Sequence, residues 1–150
     1  MKLETSSSGS VEVPQEVTFS LPQGLLGFEE FRDFALLPIP ENPYFYWLQS
    51  IENSSLTFLL VDPFVFFPKY TVDLGDELLD NLKITKQAEA AVFTIVTIPK
   101  EGIEKATTNL IGPVVFNLQA KIGRQIIVDA NNYSTKHLLF PQKPLAAASR

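Results

Sequence analysis

The side chains able to do chemistry are few and widely spaced. Two acid pairs, Glu29 with Asp33 and Asp76 with Asp80, stand four residues apart, the spacing that puts both carboxylates on one face of a helix. Two carboxylates that flank a sugar can cleave a glycosidic bond, but such a pair projects from strand ends into a cleft lined by Trp and Tyr. This chain has a single Trp, so exposed helix acids are the plainer reading. His137 closes the run Tyr133-Ser134-Thr135-Lys136-His137, beside hydroxyls that invite comparison with a triad. A triad needs a serine on a strained turn and an acid to orient the imidazole, and no Gly-x-Ser-x-Gly sequence is present. His137 therefore reads as structural. Gly24-Leu25-Leu26-Gly27 lacks the Gly-Lys-Ser/Thr ending of a phosphate loop and reads as a turn.

Composition narrows the chemistry further. With no Cys and one His in 150 residues, disulfides, thiolate nucleophiles, Cys-based metal sites and any site built on a His pair are excluded. The expectation is a chain with no catalytic residue, no metal and no cofactor. What it has in quantity is aromatic: 12 Phe, with 11 Pro. Tyr44-Phe45-Tyr46-Trp47 and Phe64-Val65-Phe66-Phe67 are too dense for strict alternation, so some rings must lie opposite the main core. Either short helices cover them or some form an exposed apolar groove for a partner.

The net charge of −5 conceals an asymmetry: residues 1–99 carry 14 acids and 5 bases (−9), residues 100–150 carry 3 acids and 7 bases (+4). A nucleic-acid binder needs a basic footprint, since counterion release from phosphates supplies most of its affinity. The aromatic clusters lie in the acidic part instead, which disfavours base stacking. That part suits a basic protein partner, or simply keeps the domain soluble.

The elements that must position these residues are mostly strands. The length matches one domain of roughly 100–200 residues, and 45% hydrophobic against 19% charged residues allow a sizeable core. A single domain over 1–150 is expected, with its core over about 11–141 and a mobile tail at 142–150. Period-two alternation marks Val11 to Val13, Val17 to Leu21, Phe34 to Leu37, Tyr44 to Ile51, Leu56 to Val61, Tyr70 to Leu74, Ala91 to Ile98, Val114 to Gln119 and Gln125 to Asp129, about nine short strands. Separators rich in Pro, Asn and Gly include Pro38 to Pro43, Asp62-Pro63 and Lys121-Ile122-Gly123-Arg124. Phe28, Phe31 and Phe34 share one face of a predicted short helix, and Asp76 to Leu82 forms another with acids in its first turn. The fold class predicted is mainly β, a small barrel or sandwich with two or three short covering helices.

No apolar run approaches the ~18–20 residues that cross a bilayer. Met1-Lys2-Leu3-Glu4-Thr5 opens no secretory signal, so a cytoplasmic protein that does not bind a membrane is expected; the further expectations are a monomer and no direct nucleic-acid binding. The sequons at Asn53 and Asn132 carry no weight in such a setting.

Six segments in order resemble the flagellar assembly factor FliW family. They are Pro22 to Glu29, Phe45 to Ser50, Val61 to Phe64 with Phe67-Pro68 and Tyr70, Thr108 to Asn117, Gly123-Arg124-Gln125, and Tyr133 to His137 with Leu139-Phe140-Pro141. The resemblance spans about residues 11–141, with Gly112 where the family often has Ala. It implies a small antiparallel β-barrel with short helices and no catalysis. It also implies two partners: newly made flagellin, and the translational regulator CsrA, a small RNA-binding dimer. While flagellin occupies the factor, CsrA represses flagellin translation; once flagellin is exported, the released factor captures CsrA away from its RNA-contacting surface. The residues expected to make contact are Tyr44, Tyr46, Trp47, Phe64, Phe66, Thr108, Asn109, Leu110 and Pro113, with Asp62 and Pro63 fixing a turn. The rival from another class is a glycoside hydrolase or carbohydrate-binding β-barrel. A hydrolase of that kind requires a strand-end carboxylate raised in pKa within an aromatic cleft.

Overall fold

The computed structural model describes residues 2–5, 9–12, 17–128 and 132–140, the first two segments by their backbone alone. The expected tail at 142–150, together with Ser6 to Ser8, Val13, Pro14 and Asp129, lies outside the described residues. Strands β1 (Lys2–Thr5) and β2 (Gly9–Glu12) pair as a separate antiparallel hairpin. The remaining strands are β3 (Thr18–Ser20), β4 (Asp33–Ile39), β5 (Asn42–Ser50), β6 (Thr57–Val61), β7 (Ala90–Thr97), β8 (Thr107–Thr108), β9 (Val114–Asn117), β10 (Ile122–Gln125) and β11 (His137–Leu138). They form one sheet, interrupted by helices α1 (Pro63–Phe66) and α2 (Asp76–Asn81).

Seven of these strands close on themselves in the order β7-β6-β5-β4-β3-β10-β9, with β9 pairing back onto β7 from Ala90↔Asn117 to Phe93↔Val114. Every seam is antiparallel except β10 against β3, which are parallel at Ile122↔Ser20. Closure removes the open edges that would invite pairing with other chains. β8 and β11 continue from β7 outside the ring, so β11 ends the sheet as its short outer strand.

A closed seven-strand ring is narrow enough to be filled by its own side chains, and here the filling is aromatic. Phe19, Phe34, Phe93 and Phe116 are each at most 7% exposed and share the interior with Leu21, Leu25, Leu36, Leu48, Leu60 and Val114. Their rings meet edge to face, Phe19 on Phe116 at 5.2 Å and Phe93 on Phe116 at 5.9 Å, the geometry that the ring quadrupole favours. Two further clusters lie outside the ring. Phe45, Val61, Val96, Ala106 and Leu139 pack with Phe66, Phe67 and Phe140 under α1 and the β8–β11 flap, while Val115 packs with Leu78, Leu82 and Ile84 under α2. The aromatic surplus in the sequence is thus divided between a barrel interior and an outer layer capped by short helices.

Several expectations require correction. Phe28 to Phe34 is not a helix. Gly24 and Gly27 adopt φ of 64° and 86°, and the Phe28 and Phe31 amides donate to Leu25 and Phe28 carbonyls as successive turns. Asp33 to Ala35 then enters β4 against Gln49 and Ser50, because the barrel needs a strand there to satisfy both neighbours' peptide groups. A side chain at Gly24 would place its Cβ 2.6 Å from the Glu29 Cα, so this turn admits only glycine. The expected turn at Lys121 to Arg124 is largely strand β10; the reversal lies at Leu118 to Lys121, where Asn117 Oδ1 accepts from the Gln119 and Ala120 amides. Gly123 sits in that strand because the Phe116 ring occupies its side-chain space, 2.6 Å from where a Cβ would be. Tyr70 to Leu74, expected as a strand, joins no strand; of the strand expected over Gln125 to Asp129, Gln125 ends β10 and Ile126 and Val128 continue its bonding to the Pro113 and Ile111 carbonyls, while Asp129 lies outside the described residues. Eleven strands stand where about nine were expected: seven of the nine are found, and β1, β8, β10 and β11 are added, the two-residue β8 and β11 and the hairpin strand β1 carrying no legible period and β10 carrying turn chemistry.

Candidate functional site

The outer flank beside α1 gathers the groups that the barrel does not consume. Asp62 caps α1, its carboxylate accepting from the Phe64 amide at 3.0 Å, and Pro63 occupies the first turn, where its missing N–H is harmless. This is the fixed turn expected of Asp62 and Pro63. The helix lasts a single turn, since the Phe67 amide returns to the Pro63 carbonyl at 2.8 Å and the Tyr70 amide to the Phe67 carbonyl at 2.9 Å. The result is two aromatic ledges. Phe66 faces inward against Phe45 and Phe140 at 5.7 and 5.8 Å. Phe64 and Val65 face outward, 41% and 42% exposed.

Behind Phe64 lies a cavity of about 460 Å³. Phe64 packs on Tyr70 at 5.6 Å, Tyr70 on Tyr133 at 4.9 Å, Tyr133 on His137 at 6.2 Å, and His137 on Phe67 at 5.7 Å. Leu110, Pro68, Lys69 and Asn132 complete its wall. The buried Tyr70 hydroxyl donates to the Leu110 carbonyl at 2.7 Å, tying the segment after α1 to the turn after β8. Burial first, and the neighbouring Tyr133 phenol second, push the Tyr70 hydroxyl above the usual tyrosine range. The Thr71 amide donates to the Tyr133 hydroxyl at 3.3 Å, and the Leu110 amide to the Ser134 carbonyl at 3.2 Å. His137 Nε2 is buried with no hydrogen-bond partner among the described residues.

Of the expected contact residues, Leu110 alone lines this cavity, while Phe64 packs on its Tyr70 wall from outside the lining. Tyr44 stands 46% exposed on β5, its carbonyl accepting from the amide of Asp62, the cap of α1, at 2.9 Å. Trp47 is half-buried on β5, opposite Leu37 and Leu59. Tyr46 and Phe66 are taken up by packing, Tyr46 on Phe93 at 4.9 Å. Thr108 is buried, its hydroxyl 2.7 Å from Thr94 Oγ1. Asn109 Oδ1 accepts from the Ile111 and Gly112 amides, and Pro113 is buried. Tyr133 and His137 carry no local periodicity, and the alternation that marks Tyr70 does not tell which residues it meets; Thr71 and Tyr133 are 62 positions apart.

The chemistry on offer is that of a binding surface. Among the described residues no Asp or Glu is buried; the buried polar side chains are Gln49, Ser50, Thr94, Thr108 and Asn117. The strand-end acid required by a glycoside hydrolase therefore has no candidate among them. Glu29 and Asp33, expected on one helix face, lie on a turn and at the start of β4; Asp76 and Asp80 are exposed on α2. No cluster of three His, Asp or Glu among the described residues could hold a metal ion, and no helix is long and apolar enough to cross a membrane.

The profile of the family described as FliW protein matches residues 2–139. The chain belongs to the FliW family. A flagellar assembly factor FliW of Moorella thermoacetica is 43% identical over 142 residues, covering 95% of this chain and 90% of the relative. Another, from Anoxybacillus flavithermus, is 41% identical and covers 95% and 97%. A solved structure, the crystal structure of the flagellar assembly factor FliW, superposes with a TM-score of 0.88 at 36% identity, covering 96% of this chain and all of that one. The FliW family is one of flagellar assembly factors, not of enzymes, and the mainly β barrel is its fold.

Proposed function

We propose that this member of the FliW family is a cytoplasmic, monomeric factor that chaperones flagellin and binds the regulator CsrA, relieving repression of flagellin translation when flagellin has left. The observation that carries the reading is the outward ledge of α1. Phe64 and Val65 are exposed on a rigid, capped turn, held by an aromatic wall that has no catalytic group in it. An apolar ledge of this kind fits one face of an amphipathic helix through its i, i+3, i+4 anchors. The acidic excess of residues 1–99 suits a basic regulator and disfavours RNA. Tyr44, Trp47 and Phe64 are the accessible contacts in this reading. Tyr46, Phe66, Thr108, Asn109, Leu110 and Pro113 set the shape of the surface from beneath.

The test is co-purification with flagellin and with CsrA, separately and then in competition. The expected result is a complex with each, and loss of bound CsrA as flagellin is added. Binding to neither protein overturns the reading.

A further inference from the structure

Two segments, Tyr70 to Leu74 and Ile126 to Val128, lie outside the named strands and face one another, the second continuing β10 alongside the chain that precedes β9. Thr71 and Asp73 from the first and Ile126, Ile127 and Val128 from the second line one cavity of about 480 Å³. The first segment runs without turn or bend up to Gly75 and alternates in exposure: Thr71 and Asp73 exposed, Val72 and Leu74 half-buried. That is the alternation of a strand on a sheet. Among the described residues, nothing donates to or accepts from the peptide groups of Val72, Asp73 or Leu74. On the other side, the Ile126 and Val128 amides donate to the Pro113 and Ile111 carbonyls, each at 2.9 Å, while Ile127 between them makes no such bond. Half-buried, extended backbone without a partner is the template on which a further strand is added.

We propose that Thr71 to Leu74 is a β-addition site that takes an extended segment of a partner protein in which apolar and basic residues alternate. The apolar requirement comes from the face of Val72 and Leu74, which lines a second cavity of about 330 Å³ with Leu79 and Ile84. The basic requirement comes from charge. Asp73 lies on the opposite face, and between Lys69 and Lys83 the chain carries Asp73, Asp76, Glu77 and Asp80 and no basic residue. The same acids oppose a second copy of this chain, whose edge would bring like charges together. Four residues of added strand would span about 13 Å of this edge. The site is separate from the ledge of Phe64 and does not depend on which protein binds there.

The test uses the full chain and a fluorescein-labelled octapeptide of alternating Val and Lys, followed by anisotropy. Two variants carry N-methyl groups on the Val amides alone or the Lys amides alone. Alternate amides of a strand point to opposite edges, so one methylated peptide should lose at least about tenfold in affinity while the other stays within about threefold. Asp73→Lys should weaken the unmethylated peptide at least about tenfold without altering thermal unfolding, and a Val-Glu peptide should not bind. Hydrogen exchange should be slowed by the peptide at residues 72–74. Absence of binding, equal loss with both methylated peptides, or protection confined elsewhere overturns the proposal. Protection of residues 72–74 that grows with protein concentration alone also overturns it, by showing a second copy on the edge.

Discussion

Inside the barrel, Phe34 and Phe116 are completely buried, each held by neighbouring rings within a ladder that closes on itself. On the outer flank, rings of the same type are only partly spent: Phe66 is covered, Phe64 is 41% exposed, and the wall behind it leaves the buried His137 Nε2 without a partner among the described residues. The difference lies in the backbone. A closed ladder satisfies its own peptide groups and forces its inward side chains together. The outer layer is made of one-turn helices and unpaired extended chain, which cover apolar surface but cannot close around it. The barrel therefore spends its rings on the core, whereas the flank leaves Phe64 and Val65 at the surface.

The contrast can be broken most sharply at Phe116. Phe116→Ala should lower stability by about 3–5 kcal/mol, since the ring fills the interior and the closed ladder cannot collapse around the void; urea unfolding measures it. Tyr70→Phe should cost about 1–3 kcal/mol, because the Leu110 carbonyl loses its donor. It should also flatten the alkaline limb of the stability curve. The folded Tyr70 hydroxyl titrates above its unfolded value near 10, so its stabilisation is present below that pH and falls as pH rises past it. Thermal melts between neutral pH and pH 11 would show the two curves converging at the alkaline end. Phe64→Ala should change stability by no more than about 0.5 kcal/mol while weakening flagellin or CsrA capture at least about tenfold. A larger loss of stability at Phe64 than at Phe116 would erase the distinction between the two regions.

The smallest expected effect is at Glu89, whose carboxylate accepts from the Thr85 and Lys86 amides at 2.8 and 3.0 Å. These bonds hold its pKa below the usual range. The folded value lies below the unfolded one, so the stabilisation is present above the unfolded pKa near 4.5 and disappears as pH falls through the folded pKa. Glu89→Gln should remove that acid dependence and leave the alkaline limb of Tyr70 untouched, which acid and alkaline melts can separate.

Strands β5, β6 and β7 were legible because each is a run rich in aromatic and β-branched residues bounded by turn chemistry, and α2 because acids open it and Leu78 and Leu82 share its buried side. β10 was not, since Lys121 and Gly123 carry turn chemistry; Gly123 is there for the Phe116 ring, a residue on the neighbouring strand. Phe28, Phe31 and Phe34 imitate a helix face because successive turns can also bring every third residue to one side. The candidate site was half legible. Phe64 announced itself as part of a run too apolar to bury whole, whereas Tyr70, Tyr133 and His137 become a wall only when the turn after β8 and the strand β11 are brought to α1.

By itself, the sequence determined a mainly β chain with no thiol chemistry, more rings than one core face needs, and family membership, because these follow from composition, local period and motif order. Only the tertiary structure decided which strands find partners. Pairing is non-local, so alternation shows that Tyr70 to Leu74 is suited to a sheet but not that, among the described residues, Val72 to Leu74 are left without backbone partners. The same physics that closed seven strands into a ring left that edge open.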